Sequence, residues 1–339
     1  MSLRILVIVI LAYTFTFLNG VKDGGNVIAT IITSRSLKPY KALFLAVMIE
    51  FFAPLFMGTA VAKTIGKGIV AEQFMMSQGD QVALLFLSCA LVGAILWNGI
   101  TWYFAIPSSS SHALVGGLIG SGIIFFGFNA INWSTVMFKV VLMIALTPIL
   151  GFMFGWIVMV ALKKIGLNFN PKFNEILKKS QLGSMFFLAV SHSTNDAQKS
   201  MGIITLLLVI VGEQSNFDVP LQVKIGSSFF LAFGMLCGGW KIVRTVGKKI
   251  YKLQPIHSLA SQISSASVIF LSGLIGSPVS TSQIVSSSIV GIGSSERMSA
   301  VKWDVAKKIV VSWFITIPFA AAISAGTGFI VWMVMGGQV

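Results

Sequence analysis

Charge is scarce in this sequence. Only 10% of its 339 residues are Asp, Glu, Lys or Arg, while 55% are hydrophobic, and the mean hydropathy is +0.90. That balance excludes a water-soluble domain and defines a membrane protein. Cysteine is scarcer still: Cys89 and Cys237 both fall in apolar stretches, where a free thiol behaves as a small hydrophobe, so no disulfide framework is available. Three histidines and a few scattered acids supply neither metal-ligand spacing nor a nucleophile–base set, so neither an enzyme nor a cofactor is expected. Ten acids face 24 bases, for a net charge of +14. The bases lie in short loops between apolar runs and form no folded basic face, which excludes a nucleic-acid-binding module and makes them a guide to topology.

Long apolar runs are what the chain has in abundance. A helix needs about 20 residues to cross a bilayer. Runs of that order fall near 3–33, 42–62, 82–104, 112–128, 134–161, 182–212, 226–243, 258–277, 278–293 and 309–336, ten in all. The first follows Met1-Ser2-Leu3-Arg4 without a small-x-small cleavage site, so it reads as a membrane helix and not as a secretory signal. The loops 34–41, 162–181, 241–252 and 294–308 carry most of the Lys and Arg, whereas 63–80 and 213–224 are balanced or acidic. Placing every basic loop in the cytoplasm puts both termini of this multi-pass cell-membrane protein outside, with five crossings in each half. An odd number inverts one half relative to the other. The organisation expected is an N-terminal membrane repeat (1–161), a basic cytoplasmic linker (162–181) and a C-terminal membrane repeat (182–339).

Two polar interruptions carry the duplication. Ser191-His192-Ser193-Thr194-Asn195-Asp196-Ala197-Gln198-Lys199-Ser200 divides one apolar run, and Asn19-Gly20-Val21-Lys22-Asp23-Gly24-Gly25-Asn26 divides another. Asp23 and Asp196 lie 173 residues apart; Pro107-Ser108-Ser109-Ser110-Ser111 and Pro278-Val279-Ser280-Thr281-Ser282 repeat at 171. Two unrelated polar elements repeating at nearly one spacing indicate an internally duplicated transporter. The fold class expected is therefore all-α and polytopic, with helices broken at 19–26 and 191–200 and re-entrant Pro-Ser turns that raise the count to ten or more membrane segments.

An ionised group at the bilayer centre costs about 2.5–3.5 kcal/mol on insertion scales, so Asp23, Asp196 and Lys199 require partners. Helix N-termini at the breaks and at the Pro-Ser turns offer free N–H groups to an oxyanion. The two carboxylates would repel such an anion unless hard monovalent cations sat between them, held by Asp23, Asp196 and the amide oxygens of Asn26 and Asn195. Blander expectations accompany these. Glu50 reads as the buried partner of a nearby cation, Lys22 as neutralising Asp23 or snorkelling, and His112 and His192 as donors to local carbonyls. His257 reads as a loop residue, and the serines at 261–267 and 286–288 as small-residue packing faces.

His192 to Gly202 resembles the signature of the inorganic phosphate transporter (PiT) family, and Asn19 to Thr30 resembles its N-terminal copy. The turns at 107–113 and 278–285, the block Gly239 to Gly247 and Pro255-Ile256-His257 are similar to further elements of that family. Two positions depart from it: Lys22 stands where the first copy usually has Asn, and Gln283 where a His is frequent. The resemblance implies a secondary active transporter that imports inorganic phosphate by symport with sodium through alternating access. Sodium would bind Asp23, Asn26, Asn195 and Asp196, and phosphate would bind Ser109, Ser110, Ser111, Asn195, Gln198, Lys199, Ser280, Thr281 and Ser282. A proton-coupled phosphate or sulfate symporter is the alternative. An anion channel, which would need rings of Arg or Lys, fits less well. A homodimer is the expected assembly.

Overall fold

The computed structural model describes residues 3–104, 106, 108–166, 171–238, 243, 251 and 253–335. Helices follow in the order α1 (Leu3–Thr33), α2 (Pro39–Phe56), α3 (Ala60–Lys63), α4 (Glu72–Ser77), α5 (Asp80–Tyr103), α6 (Ser110–Phe126), α7 (Trp133–Thr135), α8 (Leu142–Gly166), α9 (Pro171–Ile210), α10 (Leu221–Cys237), α11 (Pro255–Leu274), α12 (Thr281–Glu296) and α13 (Trp303–Val334). Among the described residues there is no strand; Val70 and Ile131 form an isolated antiparallel bridge. By length and composition α1, α2, α5, α13 and the stretch Trp133–Ile165 suffice to cross a membrane, and α6 and α10 are shorter apolar helices. Against the ten expected segments, the described residues hold five full-length apolar helices and two short ones. The 40-residue α9 and the 20-residue α11 are long enough, but their interiors carry Asn195, Asp196, Lys199 and a run of serines. Phe44, Phe52, Ile149, Ile157 and Phe314 stand exposed on the outer surface, which suits a hydrocarbon surrounding.

The expectation of broken helices is overturned. α1 runs through 19–26 and α9 through 191–200 without interruption. The charged groups Lys22, Asp23, His192 and Lys199 are met by side chains, so the backbone need not unwind to compensate them. Gly20 serves close approach instead: a Cβ there would collide with the Leu231 carbonyl of α10, and one at Gly234 with the Phe17 carbonyl of α1. The N-termini of α6 and α12, which follow the Pro-Ser turns, are buried. Pro107 itself and the family-like block at 239–247, Val243 excepted, lie outside the described residues, as does most of the basic stretch 241–252. The 162–181 connection is helical at both ends, α8 reaching Gly166 and α9 starting at Pro171.

Two apolar clusters sandwich a polar layer. One gathers Ile8, Ala12 and Phe15 of α1 with Leu87 and Leu91 of α5 and Ile203 and Leu207 of α9. The other gathers Val27 and Ile31 of α1 with Ala46 of α2, Ala189 of α9, Ile289 of α12 and Trp313 of α13. Leu37 and Val305 pack on the second cluster, so the basic segments 34–41 and 294–308 share one end of the molecule. At that end Glu296 accepts from Tyr251 Oη at 2.7 Å and pairs with Lys163 Nζ at 2.9 Å and His257 Nε2 at 3.0 Å. Burial alone would raise the Glu296 carboxyl; the bonds from Tyr251 and Lys163 and the neighbouring His257 bring it down to about 2. Contrary to expectation, His257 is not in a loop but in the first turn of α11, where Nδ1 accepts from the Gln254 backbone at 3.0 Å.

Candidate functional site

Helical spacing aligns Asn19, Asp23, Asn26 and Thr30 along one face of α1, and all four are buried. The same spacing aligns His192, Asp196 and Lys199 on α9. Between these faces the N-terminus of α6 is inserted. Ser110 Oγ donates to Asp23 Oδ2 at 2.6 Å and accepts from Lys199 Nζ at 3.2 Å; Lys199 also donates to Asp196 Oδ1 at 2.7 Å. One hydroxyl and one ammonium thus bridge the two aspartates, which are 3% and 0% exposed. The ionic cost of burial is offset by this mutual pairing.

The network extends on both sides. His192 Nδ1 lies 2.7 Å from Glu50 Oε1 on α2, and its Nε2 lies 3.6 Å from Asp196 Oδ2. The expectation that His192 bonds a local carbonyl is corrected by this, because a carboxylate from another helix reaches it first; Glu50 does have the buried partner expected of it. Lys22 neither snorkels nor comes within hydrogen-bonding distance of Asp23. Its ammonium donates to Ser108 Oγ at 2.7 Å and to Asn98 Oδ1 at 3.1 Å, between α5 and the turn before α6. His112 Nδ1 has no hydrogen-bond partner among the described residues.

Both Pro-Ser turns cap the helices that follow. Ser109 accepts from the His112 backbone at 3.2 Å and Ser280 from the Gln283 backbone at 3.4 Å, the reciprocal use of serine that an N-cap favours. Ser282 lies 3.1 Å from Ser280, and Thr281 is buried beside them. The turns touch: Ser111 Oγ donates to the Val279 carbonyl at 2.7 Å. The second turn is further tied down by Ser277, which donates to the Lys139 carbonyl at 2.6 Å, a group in the π-wound stretch Val136–Val141, where widened winding frees carbonyls from the helical ladder. Asn195 Nδ2 donates to the Ser277 carbonyl at 3.3 Å.

The chemistry of such a layer is dual. Two helix N-termini, one ammonium and several hydroxyls favour an oxyanion. Asn26 Oδ1, Asn195 Oδ1 and Asp196 Oδ2 are buried oxygens without a hydrogen-bond partner among the described residues, the hard donor atoms that suit a small monovalent cation. A cavity of about 280 Å³ reaches Asn195 alone of these three residues, lined on α9 by Ser191, Thr194, Asn195 and Gln198. Gln198 does not join the cluster: its Oε1 accepts from the Val61 and Ala62 backbones at 2.8 and 3.1 Å, and its Nε2 donates to the Gly58 carbonyl at 2.6 Å. The amide caps α3 through its oxygen and one of its two N–H donors.

Residues 19–324 match the model of the Phosphate transporter family. The chain belongs to that family. Similarity to individual phosphate transporters is strong over nearly the full length. The chain is 39% identical over 331 residues to a probable low-affinity inorganic phosphate transporter of Bacillus subtilis, covering 97% of both chains. It is 40% identical to a protein of the same description from Rhizobium meliloti, covering 94% of this chain and 93% of that one. Among solved structures, a sodium-dependent phosphate transporter superposes with a TM-score of 0.86 at 21% identity, over 98% of this chain and all of the other, a likeness of fold. The transporter's family and its helical membrane architecture are thus as the sequence resemblance implies. Asn98 is a buried polar group that the sequence motifs do not include; an amide inside an otherwise apolar span is the available signal.

Proposed function

We propose that this phosphate transporter imports inorganic phosphate by symport with sodium, through alternating access between inverted repeats 1–161 and 182–339. The observation that carries the reading is the buried bridge Asp23–Ser110–Lys199–Asp196 beneath the N-termini of α6 and α12. In the antiparallel arrangement of α1 and α9 their polar faces oppose each other, as inversion requires. Phosphate docks on Ser109, Ser110, Ser111, Ser280, Thr281 and Ser282 with Lys199 as its charged contact. Sodium occupies the oxygens of Asp23, Asn26, Asn195 and Asp196. When phosphate draws Lys199 away from Asp196, a carboxylate loses its counter-ion and sodium replaces it, so each ligand favours the other. The filled site is electrically balanced and lets the halves rock.

The test is labelled-phosphate uptake into proteoliposomes with sodium and pH gradients imposed separately. Sodium-driven uptake that is lost in Asp196→Asn is the expected result; sodium-dependent uptake unchanged in that variant refutes the assignment. One observation favours proton coupling as a second reading: each Asp already has a lysine within one turn, and the Glu50–His192 pair beside Asp196 is titratable. Uptake driven equally by a proton gradient without sodium selects it.

A further inference from the structure

The serine-rich stretches 261–267 and 286–288 do more than pack. Ser264 and Ser288 do bond each other across α11 and α12 at 2.6 Å, as small packing faces should. Their neighbours do not: Ser258, Gln262 and Ser265 line one face of α11 at intervals of four and three, and each has a side-chain polar atom without a hydrogen-bond partner among the described residues. Gln283 and Ser286 of α12 and Asn26 and Thr30 of α1 are in the same position. None of these seven residues is more than 2% exposed. α1 packs against α9, α11 and α12, and α11 against α9 and α12, and hydrogen bonds tie the faces together: Ser184 of α9 donates to Gln262 Oε1 at 2.5 Å, Ser34 just after α1 to Gln181 Oε1 at 3.4 Å, and Gln181 Nε2 to the Pro255 carbonyl at 3.0 Å.

The column so formed starts at the site, where Asn26 follows Asp23 by one turn and Gln283 follows the Ser280 cap. It ends at Ser34, Gln181 and Pro255, the end of the molecule that carries the basic segments. On the other side of the site the corresponding part of α1 presents Ile8, Ala12 and Phe15 to an apolar cluster. Packed helices rarely bury so many unsatisfied hydroxyls and amides, and in hydrocarbon such groups belong where water or a polar solute visits. The column holds hydroxyls and amides without a carboxylate, a lining that suits a hydrated oxyanion.

We infer that this column is the route by which phosphate leaves the midplane site toward the basic face, closed in the conformation described here. The inference rests on the transport reading above. Its test uses full-length protein in proteoliposomes, with Cys89→Ala and Cys237→Ala as the parent. Ser258→Cys and Ser265→Cys are then added singly, and Leu271→Cys, on the exposed side of α11, serves as the control. During phosphate transport a charged, membrane-impermeant methanethiosulfonate should label the first two from the basic face only, about tenfold faster than without phosphate, and leave the control unlabelled. Ser265→Leu, measured in parallel, should lower uptake by about tenfold while equilibrium binding of phosphate to the detergent-solubilised protein stays unchanged, since blocking a route slows release without altering the site. Parent protein that transports phosphate while neither cysteine is labelled, or while Ser265→Leu turns over fully or loses binding together with uptake, overturns the column. A parent that takes up no phosphate overturns the transport reading, and the column with it.

Discussion

The two motif copies solve one electrostatic problem with exchanged residues. In the first, a Lys precedes the Asp and an Asn follows it by three: Lys22, Asp23, Asn26. In the second, Asn precedes and Lys follows: Asn195, Asp196, Lys199. Each carboxylate has one ammonium nearby, but the position decides what the ammonium does. Lys199, at i+3, lies on the face of its Asp and pairs with it at 2.7 Å. Lys22, one residue away and about 100° around the helix, turns to Ser108 and Asn98 instead. Ser110 of α6 then takes up the bond to Asp23 that Lys22 does not make. The two motifs therefore each set an Asp within a continuous helix but differ in where the charge goes, with Lys199 donating to Ser110, the hydroxyl that holds the other copy's carboxylate.

That asymmetry sets the order of expected effects. Lys199→Met strips Asp196 of its counter-ion; breaking a buried pair costs about 3–5 kcal/mol, so initial phosphate uptake should fall by more than about 100-fold. Lys22→Met removes a charge bonded only to neutral partners, an interaction of about 1.5–3 kcal/mol, and uptake should fall by about tenfold. Equal losses in the two variants would erase the distinction between the copies. Lys22→Asn sharpens it from the other direction by giving the first copy the second's Asn-Asp pair; uptake should then rise more steeply with sodium concentration, read from the same vesicles. The smallest effect belongs to Glu296→Gln, remote from both copies, which should lower the thermal midpoint by about 1–2 °C because its bonds are partly exposed. The sign with pH follows from a depressed carboxyl. The stabilisation by Glu296 is complete above its ordinary value of 4.5 and is lost as pH falls through about 2, so the gap between wild type and variant should close in that window when thermal unfolding is followed across it.

The sequence made the positions legible and left their geometry hidden. Asp23, Asp196 and both Pro-Ser turns were found because charge and serine interrupt long apolar runs at a repeated spacing. The N-caps at Ser109 and Ser280 follow from residue type alone. Helix continuity did not follow, because a polar interruption reads the same whether the backbone unwinds or a polar side chain from another helix meets it. The resemblance places Gln198 beside Lys199 at the phosphate, yet consecutive helical residues point in different directions, and its amide faces α3. The Glu50–His192 contact spans 142 residues and has no counterpart in the other repeat, so neither local pattern nor duplication pointed to it.

The bond from Ser111 to the Val279 carbonyl has a mechanical consequence. It is a strut between two turns that belong to opposite halves of the chain, set directly above the ligand layer. In the alternating access proposed above, rocking one half on the other must either carry both turns as a single piece or sever that strut, at about 1 kcal/mol for an ordinary hydrogen bond. On the proposed mechanism, a linkage that inexpensive would keep the empty carrier in register and yield to a bound anion competing for the same hydroxyl.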